Sequence, residues 1–457
     1  MQYFKPAGAS TFAGDAMPFT HNGVFHLIYL LDQGHHQGLG GLGGHQWAHA
    51  TTTDLVHWEH HPLAIAITEP WESSICTGSV FVHDRTYYAF YATRMRDWTQ
   101  HLALATSTDG IRFEKQAPNP LASPSRRYDP EHFRDPFVFQ DPATGTFHIL
   151  VTSMLAEPEL AGRGGCLAHL TSTDLRTWEE AEPFLITGYP GAPECADLFT
   201  WNDWTYLIFS HDLVAHYRMA RTSLGPWLRP SMDTFDGPLA AVMKTAPFGD
   251  RRIGVAWIGT REGDTDTGTR QWGGNLVLRE LIQHPDGTLG TRFVPEVFPV
   301  HGQPLDLPIS ALTADVAGSA SAIRVGSSPG LAVAAVTGIP RSCRITMRVD
   351  PRGSGARPAP EFGLRLRSAG LFAEGYDLRF RPHDATVSLQ DAGLTQVHEI
   401  SHPFNLDIVT YEDIIDICIA GQRCLINRLP ERRGDHLFLY SRDGPVSFEN
   451  IEVVPQP

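Results

Sequence analysis

Three acidic residues stand where apolar strand patterns break into turns. Asp15 lies in Phe12-Ala-Gly-Asp-Ala-Met-Pro-Phe19, Asp135 in His132-Phe-Arg-Asp-Pro-Phe137, and Glu194 in Gly191-Ala-Pro-Glu-Cys-Ala-Asp-Leu-Phe199. Their small and apolar neighbours promise partial desolvation, which opens a carboxyl pKa to tuning. A carboxylate that attacks or activates water, beside a protonated one that assists a leaving group, is what cleavage of a glycosidic bond requires. A third carboxylate can hold sugar hydroxyls and keep the acid's proton in place. Taken singly, a strand-end acid of this kind is more often a turn former, so their chemistry depends on a fold that brings them to one pocket.

An internal repeat supplies such a fold. Thr51-Thr-Thr-Asp-Leu-Val-His-Trp58 recurs as Thr106-Ser-Thr-Asp-Gly-Ile-Arg-Phe113 and as Thr171-Ser-Thr-Asp-Leu-Arg-Thr-Trp178, with a degenerate copy at Thr222-Ser-Leu-Gly-Pro-Trp227. A period of roughly 50 residues points to radial or solenoid repetition. Alternating apolar segments surround each copy and amphipathic helices are absent, so the elements read as strands. The Ser/Thr-Asp step reads as a hairpin turn in which side-chain oxygens bind local amides, with the aromatic after it packing inward. About four strands per repeat make a propeller blade. Four copies, with chain at both ends to close the ring, give an all-β, five-bladed β-propeller over residues 1–305. Residues 301–320, rich in Pro, Ala and Gly, read as a linker. Short alternating strands beyond it predict a β-sandwich over 306–457.

The net charge of −15 argues against a nucleic-acid or anionic-membrane partner, and a neutral sugar is compatible with it. Six scattered cysteines without C-x-x-C spacing suggest reduced thiols. With neither a signal-like N-terminus nor an apolar run of membrane length, a cytoplasmic enzyme is expected.

Several segments together resemble glycoside hydrolase family 32, the invertases, levanases and inulinases. Phe25-His-Leu-Ile-Tyr29 and Gly43-Gly-His-Gln-Trp-Ala-His-Ala-Thr-Thr-Thr-Asp-Leu-Val-His-Trp58 resemble that family's first-blade signature, and Cys76-Thr-Gly-Ser-Val80 its F-S-G-S segment. Arg134-Asp-Pro136 matches R-D-P, Glu194-Cys195 matches E-C, and Trp272 to Leu281 with Asp286-Gly-Thr-Leu289 look like the closing strands. The resemblance implies Asp15 as nucleophile, Glu194 as general acid/base and Asp135 as transition-state stabiliser, with retention of configuration. It implies substrate contacts from Arg134, Trp47, Thr77 and Ser79. The usual W-M-N-D-P-N-G is altered here: Gly14 replaces the Asn, and Ala16-Met17-Pro18 replace Pro-Asn-Gly. A divergent subgroup is implied, with the furanose left open between fructose and another sugar.

Histidines cluster at 35, 36, 45, 49, 57, 60 and 61. No carboxylate motif of a zinc site accompanies them, so no metal and no cofactor are expected; His35, His36 and His45, on a Gly-rich loop, are expected to bind sugar hydroxyls. Trp71, Trp98 and Trp201, near predicted loops, suit stacking on a sugar. Gly38 to Gly44 lacks the Lys-Ser/Thr of a phosphate loop, and Cys195 has no identifiable His partner for thiol chemistry. Other readings of the same residues are an inverting arabinofuranosidase or xylosidase of the related family 43 type, a fructosyltransferase, and a non-catalytic carbohydrate-binding propeller.

Overall fold

The computed structural model describes all residues except 1, 299–302, 320–321, 327–328, 354, 356 and 457. Strands dominate it, with only short 3-10 turns among the described residues. The chain divides into two compact units. One holds the chain up to Thr234 with Ala240–Gly259 and Gln271–Leu289; the other holds Phe235–Leu239, Thr260–Arg270 and the chain from Gly290 onward.

The strands up to Arg292 fall, in chain order, into five antiparallel groups. They are β1 (Thr11–His21), β2 (Val24–Gln33), β3 (Gln46–Thr52) and β4 (Glu59–Ile65); β5 (Ser74–His83), β6 (Thr86–Arg94), β7 (Gln100–Ser107) and β8 (Glu114–Lys115); β9 (Tyr128–Gln140), β10 (Phe147–Leu155), β11 (Gly165–Ser172), β12 (Glu179–Glu180) and β13 (Leu185–Ile186); β14 (Glu194–Trp201), β15 (Trp204–His211) and β16 (Val214–Ala220); and β17 (Ala241–Phe248), β18 (Arg251–Arg261), β19 (Arg270–Gln283) and β20 (Leu289–Arg292). The first and last groups join in one eight-stranded sheet, where Ala13 of β1 faces Gly274 of β19.

The repeated motif forms the turn its sequence predicts. Asp54 Oδ1 accepts the amides of Val56 (2.9 Å) and His57 (2.8 Å), while Thr52 Oγ1 accepts that of Leu55 (2.9 Å). Asp109 and Asp174 repeat the arrangement. Trp178 then packs against the core formed by Phe90, Leu102, Ile149 and Leu170. The copy at Thr222 has no aspartate; its hydroxyl bonds the Gly225 carbonyl instead.

The first strand of every group carries a bulge at which two of its residues oppose one on the next strand. Gly14 and Asp15 oppose Leu30, Cys76 and Thr77 oppose Ala92, and Asp135 and Pro136 oppose Val151. Cys195 and Ala196 oppose Phe209, and Val242 and Met243 oppose Ala256. At three of them the first bulged residue has positive φ: Asp135 (54°), Cys195 (56°) and Val242 (52°). Bulges re-aim side chains and cluster beside active sites, and left-handed non-Gly residues persist only where the surrounding structure over-determines them.

The second unit is two seven-stranded antiparallel sheets. Phe362, Leu364 and Leu439 of one share a single apolar core with Ile345, Ile408 and Phe448 of the other. Of the stretch read as a linker, residues 301–302 and 320 lie outside the described residues. Within the rest, Ile309–Ala311 and Val316–Ser319 are short strands ending the two sheets. Edge strands need little apolar sequence, so composition alone concealed them. Among the described residues no helix is long and apolar enough to cross a membrane.

Candidate active site

Three of the five bulges, through Asp15, Thr77 and Asp135, meet at one cavity of about 350 Å³, and Glu194, just before the fourth, joins its lining. A cavity of this size suits a small ligand. A wider, open hollow of about 760 Å³ in the second unit is lined by Arg261, Arg270 and Asp391. Those charges pair with one another, at 3.0 Å and 2.7 Å.

Asp15 is buried on β1 and fully engaged. Its Oδ1 accepts the indole N–H of Trp257 at 2.9 Å, and its Oδ2 accepts the Thr77 hydroxyl at 2.8 Å. Burial, then the neighbouring Asp135 charge, pushes its pKa up to about 6, against the pull of those two hydrogen bonds. Asp135, on β9, is also buried, and accepts the Cys195 amide at 3.2 Å. Glu194 opens β14 and is only partly buried. Arg134 spans both: its Nε lies 3.6 Å from Asp135 Oδ2 and its Nη2 donates to Glu194 Oε1 at 2.6 Å. Its Nη1 reaches Gln100 Oε1 at 3.3 Å. Burial works against the guanidinium's charge, but Glu194 and Asp135 outweigh it and hold the group above its ordinary range. Asp15, Asp135 and Glu194 thus stand in one bonded constellation.

Cys195 completes the link, with its sulfur 3.7 Å from Asp15 Oδ2. Burial, then Asp135 and Asp15, pushes its thiol well above the usual range. It therefore keeps its proton and donates toward Asp15, which disposes of the thiolate reading.

Among the other expected contacts, Arg134, His36, His45 and Thr77 line the cavity. Trp47, Ser79 and His35 are not among its lining residues. The Trp47 indole is fully buried and donates to the Cys76 carbonyl at 2.9 Å, bracing the wall from behind. The Ser79 hydroxyl donates to the Pro136 carbonyl at 2.9 Å, tying β5 to β9. His35 stacks on Phe12 at 3.7 Å. Trp98 lines the cavity, whereas Trp71 packs on an apolar core. The residues that sequence reasoning missed include Leu30, Arg94, Gln100, His132 and, behind the wall, Trp257. His132 stands two residues before Arg134-Asp-Pro136, the others lie in no chemical motif, and Trp272, also in the lining, reads in sequence only as part of a closing strand.

Asp32, His36 and His45 form the group among the described residues that could hold a metal ion, with ligand atoms within 4.8 Å of one another. Arg94 can only donate, so at 3.1 Å it makes His36 Nε2 an acceptor, while His45 Nε2 lies 3.0 Å from both His36 Nδ1 and Asp32 Oδ1. Burial, then His45 and Arg94, lowers the His36 pKa to about 4, so the ring is neutral and suited to hydrogen bonding with hydroxyls.

The family model for the N-terminal domain of glycosyl hydrolases family 32 matches residues 15–289. The chain is 28% identical over 307 residues to the raffinose invertase of Escherichia coli, covering 60% of each chain. It is 27% identical over 308 residues to the sucrose-6-phosphate hydrolase of Vibrio alginolyticus, covering 60% of this chain and 59% of that one. These matches therefore span about three fifths of the relatives' length. Among solved structures, fructan 1-exohydrolase IIa from Cichorium intybus superposes with a TM-score of 0.72 at 18% identity, over 100% of this chain and 98% of that one. That likeness establishes a shared fold.

Proposed function

The chain belongs to glycosyl hydrolases family 32, and from that premise we propose that it cleaves β-fructofuranosides or closely related furanosides with retention of configuration. The observation that carries the reading is the constellation itself: Glu194 and Asp135 share Arg134, and Cys195 reaches both Asp135 and Asp15.

In this mechanism an Asp15 oxygen attacks the anomeric carbon, the bond to the leaving oxygen breaks, and Glu194 gives that oxygen its proton. Glu194 cannot donate while held 2.6 Å from Arg134, so the arriving glycosidic oxygen must draw the two apart. Water then loses a proton to Glu194, attacks the same carbon and releases Asp15. Asp135 and Arg134 hold sugar hydroxyls as positive charge develops at the ring. Asp15 must be ionised to attack, so kcat/KM is expected to fall about tenfold per pH unit below about pH 6. A pH–rate profile checks this; an acid limb centred near pH 4 would show that burial does not raise the Asp15 pKa.

The same premise supports a five-bladed propeller with an appended sandwich, divided near residue 305. The support is the fivefold recurrence of one bulge at the head of each strand group. Six free, buried cysteines fit a reducing compartment, and we place the protein in the cytoplasm.

The deciding experiment is a panel of sucrose, raffinose, levan oligomers and aryl arabinofuranosides, with the first product followed by NMR. Release of β-fructofuranose is expected. No turnover of any furanoside would overturn the reading, and an inverted first product would overturn retention. Arg94 lines the cavity and makes no ion pair with a carboxylate among the described residues. A fixed cation there suits an anionic substituent, so sucrose 6-phosphate belongs in the panel beside sucrose.

A further inference from the structure

The indole of Trp272 occupies the space that a side chain on Gly14 would fill. A Cβ added to Gly14 would fall 2.0 Å from Trp272 Cη2, 2.6 Å from Cζ3 and 2.7 Å from Cζ2. Real atoms do not approach so closely, so positions 14 and 272 compete for one volume. The backbone places no such demand: Gly14 is not among the residues with positive φ. Glycine is required here by the tryptophan alone.

Trp272 is fixed from several sides. Its ring stacks on His45 at 4.8 Å and 18° and leans on Trp257 at 5.4 Å and 54°. Its carbonyl meets His35 Nδ1 at 3.1 Å. Gly14 precedes Asp15 in the chain, and Trp257 donates to Asp15 across space, so the indole is one residue from the attacking carboxylate by either route. With Leu30, which opposes the Gly14–Asp15 bulge, it gives the cavity an apolar flank beside Asp15.

We propose that Trp272 and Gly14 form a single specificity element, in which the indole replaces a side chain next to the nucleophile with an aromatic wall. The C–H face of the furanose packs on this wall. The wall limits which ring substituents can lie beside Asp15. This inference rests on the reading of Asp15 as the residue that attacks a furanoside.

A double-mutant cycle tests it, using Gly14→Asn, Trp272→Ala and the pair on aryl β-fructofuranoside and aryl α-arabinofuranoside. Gly14→Asn alone is expected to lower kcat/KM at least about 100-fold, because the new side chain must displace the indole. Trp272→Ala is expected to raise KM about tenfold with a smaller change in kcat, and to shift the preference between the two sugars. The pair should recover at least about tenfold over Gly14→Asn. Effects that simply multiply, or an unchanged KM and sugar preference in Trp272→Ala, would overturn the proposal.

Near-UV circular dichroism reports whether each variant folds. Should Gly14→Asn fail to fold, the Trp272→Ala result decides alone. If the wild type turned over no furanoside, the functional reading would fail separately. Calorimetric binding of free fructose to the wild type and to Trp272→Ala would then decide the wall, with equal affinity ruling it out.

Discussion

Asp15→Asn is expected to lower turnover by about 10⁴-fold or more and, above pH 6, to make the protein more stable. The loss follows from removing the attacking oxygen's charge. The gain follows from the same burial that sets the site. In the folded protein the Asp15 carboxyl keeps its proton up to about pH 6, whereas in an unfolded chain an aspartate releases it near pH 3.9. The folded state therefore binds this proton more tightly. Its contribution to stability is complete below about pH 4 and is lost as pH rises through 6. Asparagine carries no such proton and escapes the loss. Thermal unfolding should show the variant on the order of 2 kcal/mol more stable than wild type at pH 8, with little difference at pH 4. An equal difference at both pH values would mean that charge burial is not its cause.

For Glu194→Gln the expected loss depends on the leaving group. With sucrose, whose departing alkoxide needs a proton, kcat should fall about 10³-fold. With a nitrophenyl furanoside the first step should stay close to normal, since that oxyanion leaves unaided. The glycosyl-enzyme then accumulates, because water lacks its base, and a burst of nitrophenol is expected before slow turnover. Azide, which needs no base, should restore turnover and yield the glycosyl azide. An equal loss on both substrates, with no burst, would assign Glu194 to holding Arg134 rather than to proton transfer.

Both effects concern residues that the sequence displayed openly. Asp135 and Glu194 lie in Arg134-Asp-Pro136 and Glu194-Cys195, and Asp15 stands before the strand opened by Val24. Two-residue alternation disclosed the strands, and the Ser/Thr-Asp turns disclosed their repetition. What alternation cannot disclose is a bulge, since one extra residue leaves no mark in composition. Trp47, a sugar contact by resemblance, packs in an apolar core with Ile28 and Tyr91. Trp257, which bonds Asp15, lies in Val255-Ala-Trp-Ile-Gly259, an ordinary apolar run. Arg94 and Gln100, at the end of β6 and the start of β7, likewise reach the cavity from positions with no local signal. Gly14 could be read only as a departure; its reason is an indole more than 250 residues along the chain.

In a regular strand, neighbouring side chains face opposite sides and a cavity can recruit only every second residue. The bulges lift that restriction. Cys76 and Thr77 both reach the cavity, as do Arg134 and Asp135. An acid and its counter-charge can then descend together as adjacent codons, their pairing preserved whatever happens to the loops. A one-residue deletion at a bulge would return the strand to strict alternation and turn one member of each couple away. Inherited variation should thus be permissive in loop length and intolerant of any change in strand length at the two bulges that present these couples.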